Sequence, residues 1–212
     1  MTGHIGLRAT PGGFATPTHG DPAVRLRIAG SALVYEGPSA TAYVKVNGST
    51  LRDLAVFAGT DIGGAFSVGA QTIDLGDVDE PISVDARSAL LLGDWYGLGW
   101  QILDTVLAGL PPSSTPAVIQ LWPEHFDVGT NVGLTSGARV NLGASAGDAY
   151  SDDPYLYVGP WGPERPGGDG YWNAPFGAAL SRTALLAGSD PLGDGAAFIR
   201  TGLQHLQRQE ET

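Results

Sequence analysis

The sequence contains no cysteine and a single lysine, Lys45, among its 212 residues. Without cysteine, the chain has no disulfide bond, no thiolate nucleophile, no cysteine-ligated iron–sulfur cluster and no cysteine-based zinc site. The other ten of its 11 basic residues are arginines, they form no basic run, and the formal net charge is −11. Because an acidic surface repels phosphate backbones, we expect no nucleic-acid partner.

Uninterrupted apolar segments are also lacking. The most apolar stretch, residues 88–110, contains Asp94, Gln101 and Asp104, which argues against a membrane span. The N-terminal segment "MTGHIGLRAT" has no apolar core of a secretory signal. The sequence therefore predicts a cytoplasmic protein that has no membrane partner.

Glycine and proline are abundant instead, with 32 and 15 residues, whereas charged residues make up only 16% of the chain. This composition favours turns and surface loops, and 212 residues that are 42% hydrophobic can bury one core. We predict an α+β fold: a single domain whose mostly antiparallel sheet is packed by one long central helix and C-terminal helices. The predicted domain spans residues 23–208, between an N-terminal loop or arm at 1–22 and a solvated tail at 209–212.

The predicted helices have recognisable starts. Thr50 is followed three residues later by Asp53, which resembles a capping box, and Asp85 can cap the long central helix. That helix has apolar residues at three- to four-residue spacing until a double proline ends it. Asn173 is predicted to cap a further helix, and a last helix is expected over residues 194–208.

The densest group of chemically useful side chains lies in the stretch "LWPEHFD". If this stretch is a strand, His125 and Asp127 point to the same face. The segments "ARVNLG" and "PYLYVG" alternate in the same way, and a meander with its turn near Gly133 pairs His125 with Asn141 and Asp127 with Arg139. The predicted polar face then comprises His125, Asp127, Arg139, Asn141, Tyr155 and Tyr157.

Three hypotheses account for such a face. The one we favour is a binding module for a small polar ligand or a protein partner. Its expected contact residues are Trp122, Asn141, Tyr155, Tyr157 and Trp161. The second is a hydrolase or lyase in which His125 is the base, Asp127 orients it and Arg139 holds an anionic substrate. The third is a structural or assembly role, including a possible homodimer through a sheet edge. The face would then be solvated, with one weak Asp127–Arg139 ion pair.

A metal centre is a sharper form of the enzyme hypothesis. His125 and Asp127 could reach one ion, and the aspartates of the loop "GDAYSDDP" could add ligands. However, Arg139 would neutralise Asp127 in this arrangement, and the spacing matches no known metal signature. We therefore assign no metal and no other cofactor.

The stretch "GASAG", residues 143–147, matches the G-x-S-x-G nucleophile elbow of α/β-hydrolases. That elbow needs a strand before it and a helix after it. Acidic residues, a proline and a further strand follow here, and His205 is the one histidine after Ser145. We interpret the match as a chance occurrence in a flexible loop beside the predicted polar face.

Aromatic residues frame the glycine-rich segment "WGPERPGGDGYWNAPFG". They are Trp161, Tyr171, Trp172 and Phe176. Aromatic side chains in such a loop can close over a ligand or a partner. Trp172 and Phe176 are expected to pack back into the core instead.

The runs "LWPEHFDVG", "RVNLGASAGDAYSDDPYLYVGPWG" and "WNAPFGAAL", with the early "LRATPGGFATP", resemble uncharacterised proteins from actinobacteria. The resemblance covers most of the chain and implies a single intact domain. It implies no catalytic residue and no chemistry.

Overall fold

The computed structural model describes residues 6–10, 13–63, 66–68, 71–123, 125–167 and 170–208. In these segments antiparallel sheets combine with four helices, which confirms the predicted α+β fold. No helix in them is long and apolar enough to cross a membrane. The chain divides into two compact units, residues 1–93 with 121–125 and residues 94–120 with 126–212. The boundaries of the single predicted domain stay a prediction.

The first unit contains a five-stranded antiparallel sheet with the order β1-β2-β3-β4-β5. Its strands are β1 (Arg8–Thr10), β2 (Gly13–Ala15), β3 (Arg25–Ala29), β4 (Ala32–Glu36) and β5 (Thr41–Lys45). The sequence predicted a loop where β1 and β2 lie, and this was wrong. Three-residue strands are too short to show the alternation by which a strand is recognised.

Helix α1 (Leu51–Ala58) follows β5 and begins as predicted. Thr50 accepts a hydrogen bond from the Asp53 N–H at 3.0 Å, and the Asp53 carboxylate accepts one from the Thr50 N–H at 2.9 Å. This is a complete capping box. Beyond α1, the short strands β6 (Phe66–Val68) and β7 (Gln71–Ile73) pair antiparallel.

The second sheet is also antiparallel, with the order β12-β11-β10-β9-β8. Its strands are β8 (Gln120–Trp122), β9 (Asp127–Gly133), β10 (Arg139–Ser145), β11 (Tyr155–Pro160) and β12 (Ala178–Ser181). The predicted meander of the three central strands is confirmed. Alternate residues on one face of β9 to β11 are apolar and almost fully buried; they are Val128, Val132, Val140, Leu142, Leu156 and Val158.

The long helix α2 (Ala86–Leu107) packs on this apolar face through its second half, as predicted. Trp95 and Ile102 are buried, and the Trp95 indole N–H donates to the backbone oxygen of Ser145 at 2.7 Å. Gly99 lets the helix approach closely, since a Cβ there would lie 2.5 Å from the Ala144 Cβ. At its start, Asp85 accepts from the Ser88 N–H, which confirms the predicted cap.

The C-terminal helices are α3 (Arg182–Leu186) and α4 (Pro191–Arg208). The helix predicted after Asn173 was wrong: the Asn173 amide instead donates to and accepts from the backbone of Ala179 on β12. Helix α3 is capped by Ser181, whose hydroxyl accepts a hydrogen bond from the Ala184 N–H. Helix α4 starts at Pro191, earlier than predicted, because proline fits the first turn of a helix.

Candidate functional site

The register of β9 to β11 differs from the predicted one. Asp127 lies opposite Ser145 and Arg139 opposite Gly133, so the hairpin turns later than expected. Each residue's observed partner differs from its predicted partner by an even number of positions. Such an even shift leaves each side chain on its original face. The polar face therefore exists, here called the Asp127 face. It consists of Asp127, Asn131, Arg139, Asn141, Ser145, Tyr155 and Tyr157.

His125 is not part of the Asp127 face. It is exposed and lies in the turn before β9, where its N–H donates to the backbone oxygen of Trp122 at 3.3 Å. Phe126 follows with φ at 49°, a left-handed conformation that interrupts the alternation of side chains. The predicted pairing of His125 with Asn141 was wrong, because Asn131 occupies that position.

The centre of the Asp127 face is a row of two glycines under one tyrosine. Tyr157, Gly143 and Gly129 lie directly opposite one another on β11, β10 and β9. A Cβ at Gly143 would lie 2.4 Å from the Tyr157 ring, and one at Gly129 would lie 2.9 Å from its hydroxyl oxygen. The ring therefore lies flat across two strands.

This position brings the Tyr157 hydroxyl to Asp127, where it donates to Oδ2. Asp127 is only 6% exposed. Burial, followed by the negative charge of Asp127 and this hydrogen bond, raises the pKa of Tyr157 well above its ordinary value. Tyr157 thus remains a protonated donor to the carboxylate at the end of its ring.

A second tyrosine–carboxylate pair lies beside the first. The Tyr155 hydroxyl donates to Asp148 Oδ2 at 2.7 Å, and Asp148 Oδ1 accepts from the Tyr150 N–H at 2.8 Å. Burial and the hydrogen bond to Asp148 raise the pKa of Tyr155. Ser145 is 4% exposed, its hydroxyl accepts from the Gly147 N–H, and a loop follows it. Neither its burial nor the following loop fits a nucleophile elbow.

Aromatic rings cover this acidic end of the face. Phe176 stacks on Tyr155 with centroids 5.9 Å apart and meets Tyr157 edge-on at 6.4 Å. Tyr150 meets Phe176 edge-on at 5.1 Å. The expectation that Phe176 packs back into the core was wrong: it is half-buried and covers the polar side of the sheet. The tyrosine that donates to Asp127 is therefore itself in contact with a second ring.

The opposite end of the face is more open, and we call it the Arg139 end: Thr115, Asn131, Arg139, Asn141 and Trp161. Arg139 donates from Nε to Asn131 Oδ1 at 2.6 Å and from Nη2 to the backbone oxygen of Thr115 at 3.1 Å. Trp161 is 63% exposed, yet its indole N–H donates to Asn141 Oδ1 at 2.8 Å and its backbone N–H to Arg139 O at 3.0 Å. Within the described segments Arg139 makes no ion pair, so the predicted pair with Asp127 was wrong.

The remaining predicted residues lie elsewhere. Trp122 is half-buried at the end of β8 and, like His125, is grouped with the first unit. Trp172 was expected to pack into the core but is only half-buried: its indole N–H donates to Pro166 O at 2.7 Å, and its ring meets Tyr171 edge-on at 4.8 Å. Among the described residues, no group of three or more histidine, aspartate or glutamate side chains is placed to hold a metal ion.

Several residues of the site were not predicted from the sequence. They are Tyr96, Thr115, Asn131 and Tyr150, whereas Asp148 was considered only as a possible metal ligand of its loop. The Tyr96 hydroxyl donates to Phe126 O, and burial together with the nearby charge of Asp127 raises the pKa of Tyr96. A usable signal was present in the strand glycines 129 and 143, because glycine inside a strand often marks a close approach.

Comparison with protein-family models, with curated proteins and with solved structures finds no match to this chain. The resemblance to actinobacterial proteins therefore stays a prediction.

Proposed function

We propose that the protein is a binding module and that the Arg139 end of the Asp127 face contacts its ligand. One observation carries the proposal: Trp161 exposes 63% of its surface while two hydrogen bonds to the sheet hold it in place. A large aromatic side chain that is both exposed and fixed loses little conformational freedom on binding, which is why such residues dominate recognition surfaces.

The charge of Arg139 indicates the polarity of the ligand. Its hydrogen-bond partners, Asn131 and Thr115, are uncharged. Its Nη1 group has one distant partner, Thr115 Oγ1 at 3.5 Å, which leaves donor capacity. A guanidinium and an exposed indole at the same end of the face suit a small ligand, or a side chain of a protein partner, that combines a carboxylate with a flat apolar part.

The enzyme hypothesis, a hydrolase or lyase with His125 as base, has less support. A general base must be oriented within hydrogen-bond reach of its partner. His125 lies exposed in a turn, whereas Asp127 is buried and accepts a hydrogen bond from Tyr157. The third hypothesis, an assembly role with a homodimer, also stays a prediction.

The proposal can be tested by thermal-shift titration with benzoate, with benzamide as its uncharged analogue. We expect benzoate to raise the melting temperature of the protein. Trp161→Ala and Arg139→Gln should abolish the shift, and Trp172→Phe, which alters a half-buried indole that contacts Pro166 and Tyr171, should retain it. Equal shifts with benzamide and benzoate, or an unchanged benzoate shift in Trp161→Ala, would contradict the proposal.

A further inference from the structure

The outer edge of β5 in the first unit offers backbone groups that are unpaired among the described residues. The Val46 N–H donates to Ser31 O, and the Gly37 N–H donates to Ala40 O. In an antiparallel pair the hydrogen-bonded positions alternate. Ala42 and Val44 therefore point their backbone groups toward β4, and the next residues point theirs outward. The outward-pointing residues are Thr41, Tyr43 and Lys45.

This edge is open in the described part of the chain. β5 is the last strand of its sheet, and Tyr43 is 76% exposed. Of the outward-pointing groups, the Lys45 carbonyl accepts from the Ser49 hydroxyl at 2.7 Å. The N–H groups of all three outward residues and the carbonyls of Thr41 and Tyr43 have no hydrogen-bond partner among the described residues. Such an edge is a template for an added strand.

An apolar groove begins at the same strand. It has a volume of about 990 Å³ and lies on the sheet face opposite Tyr43, closed at one side by the end of α1. Its lining includes Thr16, His19, Leu26, Tyr35, Ala42 and Phe57, and among the described residues it includes no aspartate, glutamate, lysine or arginine. Ala42 is the β5 residue that lines it, and its small side chain leaves room above the strand edge.

The positive charge of Lys45 indicates which kind of peptide would bind at the edge of β5. Lys45, the only lysine of the chain, is exposed and makes no ion pair within the described segments. A peptide residue opposite Ala42 would send its side chain over the groove, because facing residues share a sheet face. In an antiparallel strand, the residue three positions before it lies opposite Lys45 on the other sheet face.

We infer that the first unit binds an extended peptide of a partner protein by antiparallel strand addition to β5. The peptide carries an apolar side chain that enters the groove and an acidic residue three positions before it. Strand addition gains backbone hydrogen bonds for affinity and uses alternate side chains for specificity. A second copy of β5 fits less well, since twofold pairing at Tyr43 places Thr41 opposite Lys45.

The probe is a fluorescein-labelled peptide, Ser-Glu-Val-Thr-Phe-Thr-Ser, followed by fluorescence anisotropy. We expect saturable binding by the full-length chain. Lys45→Glu should weaken the binding about threefold to fivefold, the range of an exposed ion pair, and should favour the same peptide with lysine in place of glutamate. If the charge exchange has no effect, the assigned register is wrong.

Tyr43→Pro tests the strand addition itself, and its circular dichroism spectrum shows whether the variant folds. Its N–H points outward, so proline removes a donor from the edge without breaking the β4–β5 ladder. We expect an unchanged circular dichroism spectrum and a loss of peptide affinity of about tenfold or more. Full peptide binding by folded Tyr43→Pro would overturn the proposal. So would a dimer in sedimentation that Tyr43→Pro dissociates, because the edge would then be occupied by a second copy.

Discussion

Gly143 and Gly129 are glycines because Tyr157 lies across them. No side chain larger than hydrogen fits at Gly143, where a Cβ would lie 2.4 Å from the tyrosine ring. Glycine inside a strand loses packing and backbone entropy, and here that cost is offset by the hydrogen bond between Tyr157 and a buried Asp127. At the scale of single residues, the position of Tyr157 thus depends on the missing side chains of two glycines as well as on its hydrogen bond to Asp127.

The first prediction is that Gly143→Ala destabilises the protein by about 1–3 kcal/mol, the usual range for overpacking. The added methyl group must displace the Tyr157 ring, whose position is fixed by its hydrogen bond. Gly159→Ala is the matched control, since it lies on the same face and its Cβ would meet no atom closer than 3.7 Å. Urea unfolding of both variants checks the prediction, and equal losses of stability would refute it.

Thr115 provides a second prediction at this scale. Its φ is 37°, a left-handed conformation that a β-branched residue rarely adopts, and Arg139 holds its backbone oxygen at 3.1 Å. Thr115→Asn should increase the free energy of unfolding by about 0.5–1 kcal/mol, because asparagine tolerates this conformation better. Thr115→Val keeps a β-branched side chain in this conformation and should give no gain. If both variants destabilise the protein equally, the conformation of Thr115 is not a source of strain.

Helix α1 supports a prediction at the scale of elements. Its capping box joins Thr50 and Asp53 by reciprocal hydrogen bonds. Thr50→Ala removes the hydroxyl acceptor and should destabilise the first unit by about 0.5–2 kcal/mol, whereas Thr50→Ser keeps the acceptor and should lie close to the wild type. Chemical denaturation followed by circular dichroism distinguishes the two. A serine variant as unstable as the alanine variant would show that the methyl group, not the cap, matters.

Elements whose signals are local could be predicted from the sequence. The capping box at Thr50, the cap at Asp85 and the faces of β9 to β11 all depend on residues close in the chain. The register of β9 against β10 could not be predicted, since every even shift leaves the same residues on the same face. The turn that removes His125 from β9 depends on a left-handed Phe126, and no glycine or asparagine signals it in the sequence.

At the scale of the whole molecule, the two units differ in which groups have shifted pKa values and in the direction of the shift. In the first unit, hydrogen bonds lower the pKa of four carboxyl groups: Glu36 through Arg25, Asp79 through Arg52, Asp53 through the Thr50 N–H and Asp85 through the Ser88 N–H. A folded-state pKa below the unfolded value stabilises the fold above the unfolded pKa, about 4, and the contribution is lost as pH falls below it. The first unit should therefore lose stability in acid.

In the second unit the shifts concern tyrosines. Burial is the largest cause that raises the pKa of Tyr96, Tyr155, Tyr157 and Tyr171. A folded-state pKa above the unfolded value gives a contribution that is complete below the unfolded pKa, about 10, and is lost as pH rises, because the unfolded chain ionises first. The second unit should therefore lose stability in alkali.

Methyl NMR during urea titration separates the two units, with Ile28 reporting on the first and Ile199 on the second. The urea midpoint at Ile28 should fall between pH 7 and about 3.5, and that at Ile199 between pH 7 and about 10.5. Added salt screens the general repulsion of a chain with net charge −11. Glu36→Gln should reduce the acid dependence at Ile28 and leave the alkaline dependence at Ile199 unchanged. If both methyl groups report the same midpoints at every pH, the units unfold together, and the acid and alkaline losses belong to one cooperative fold.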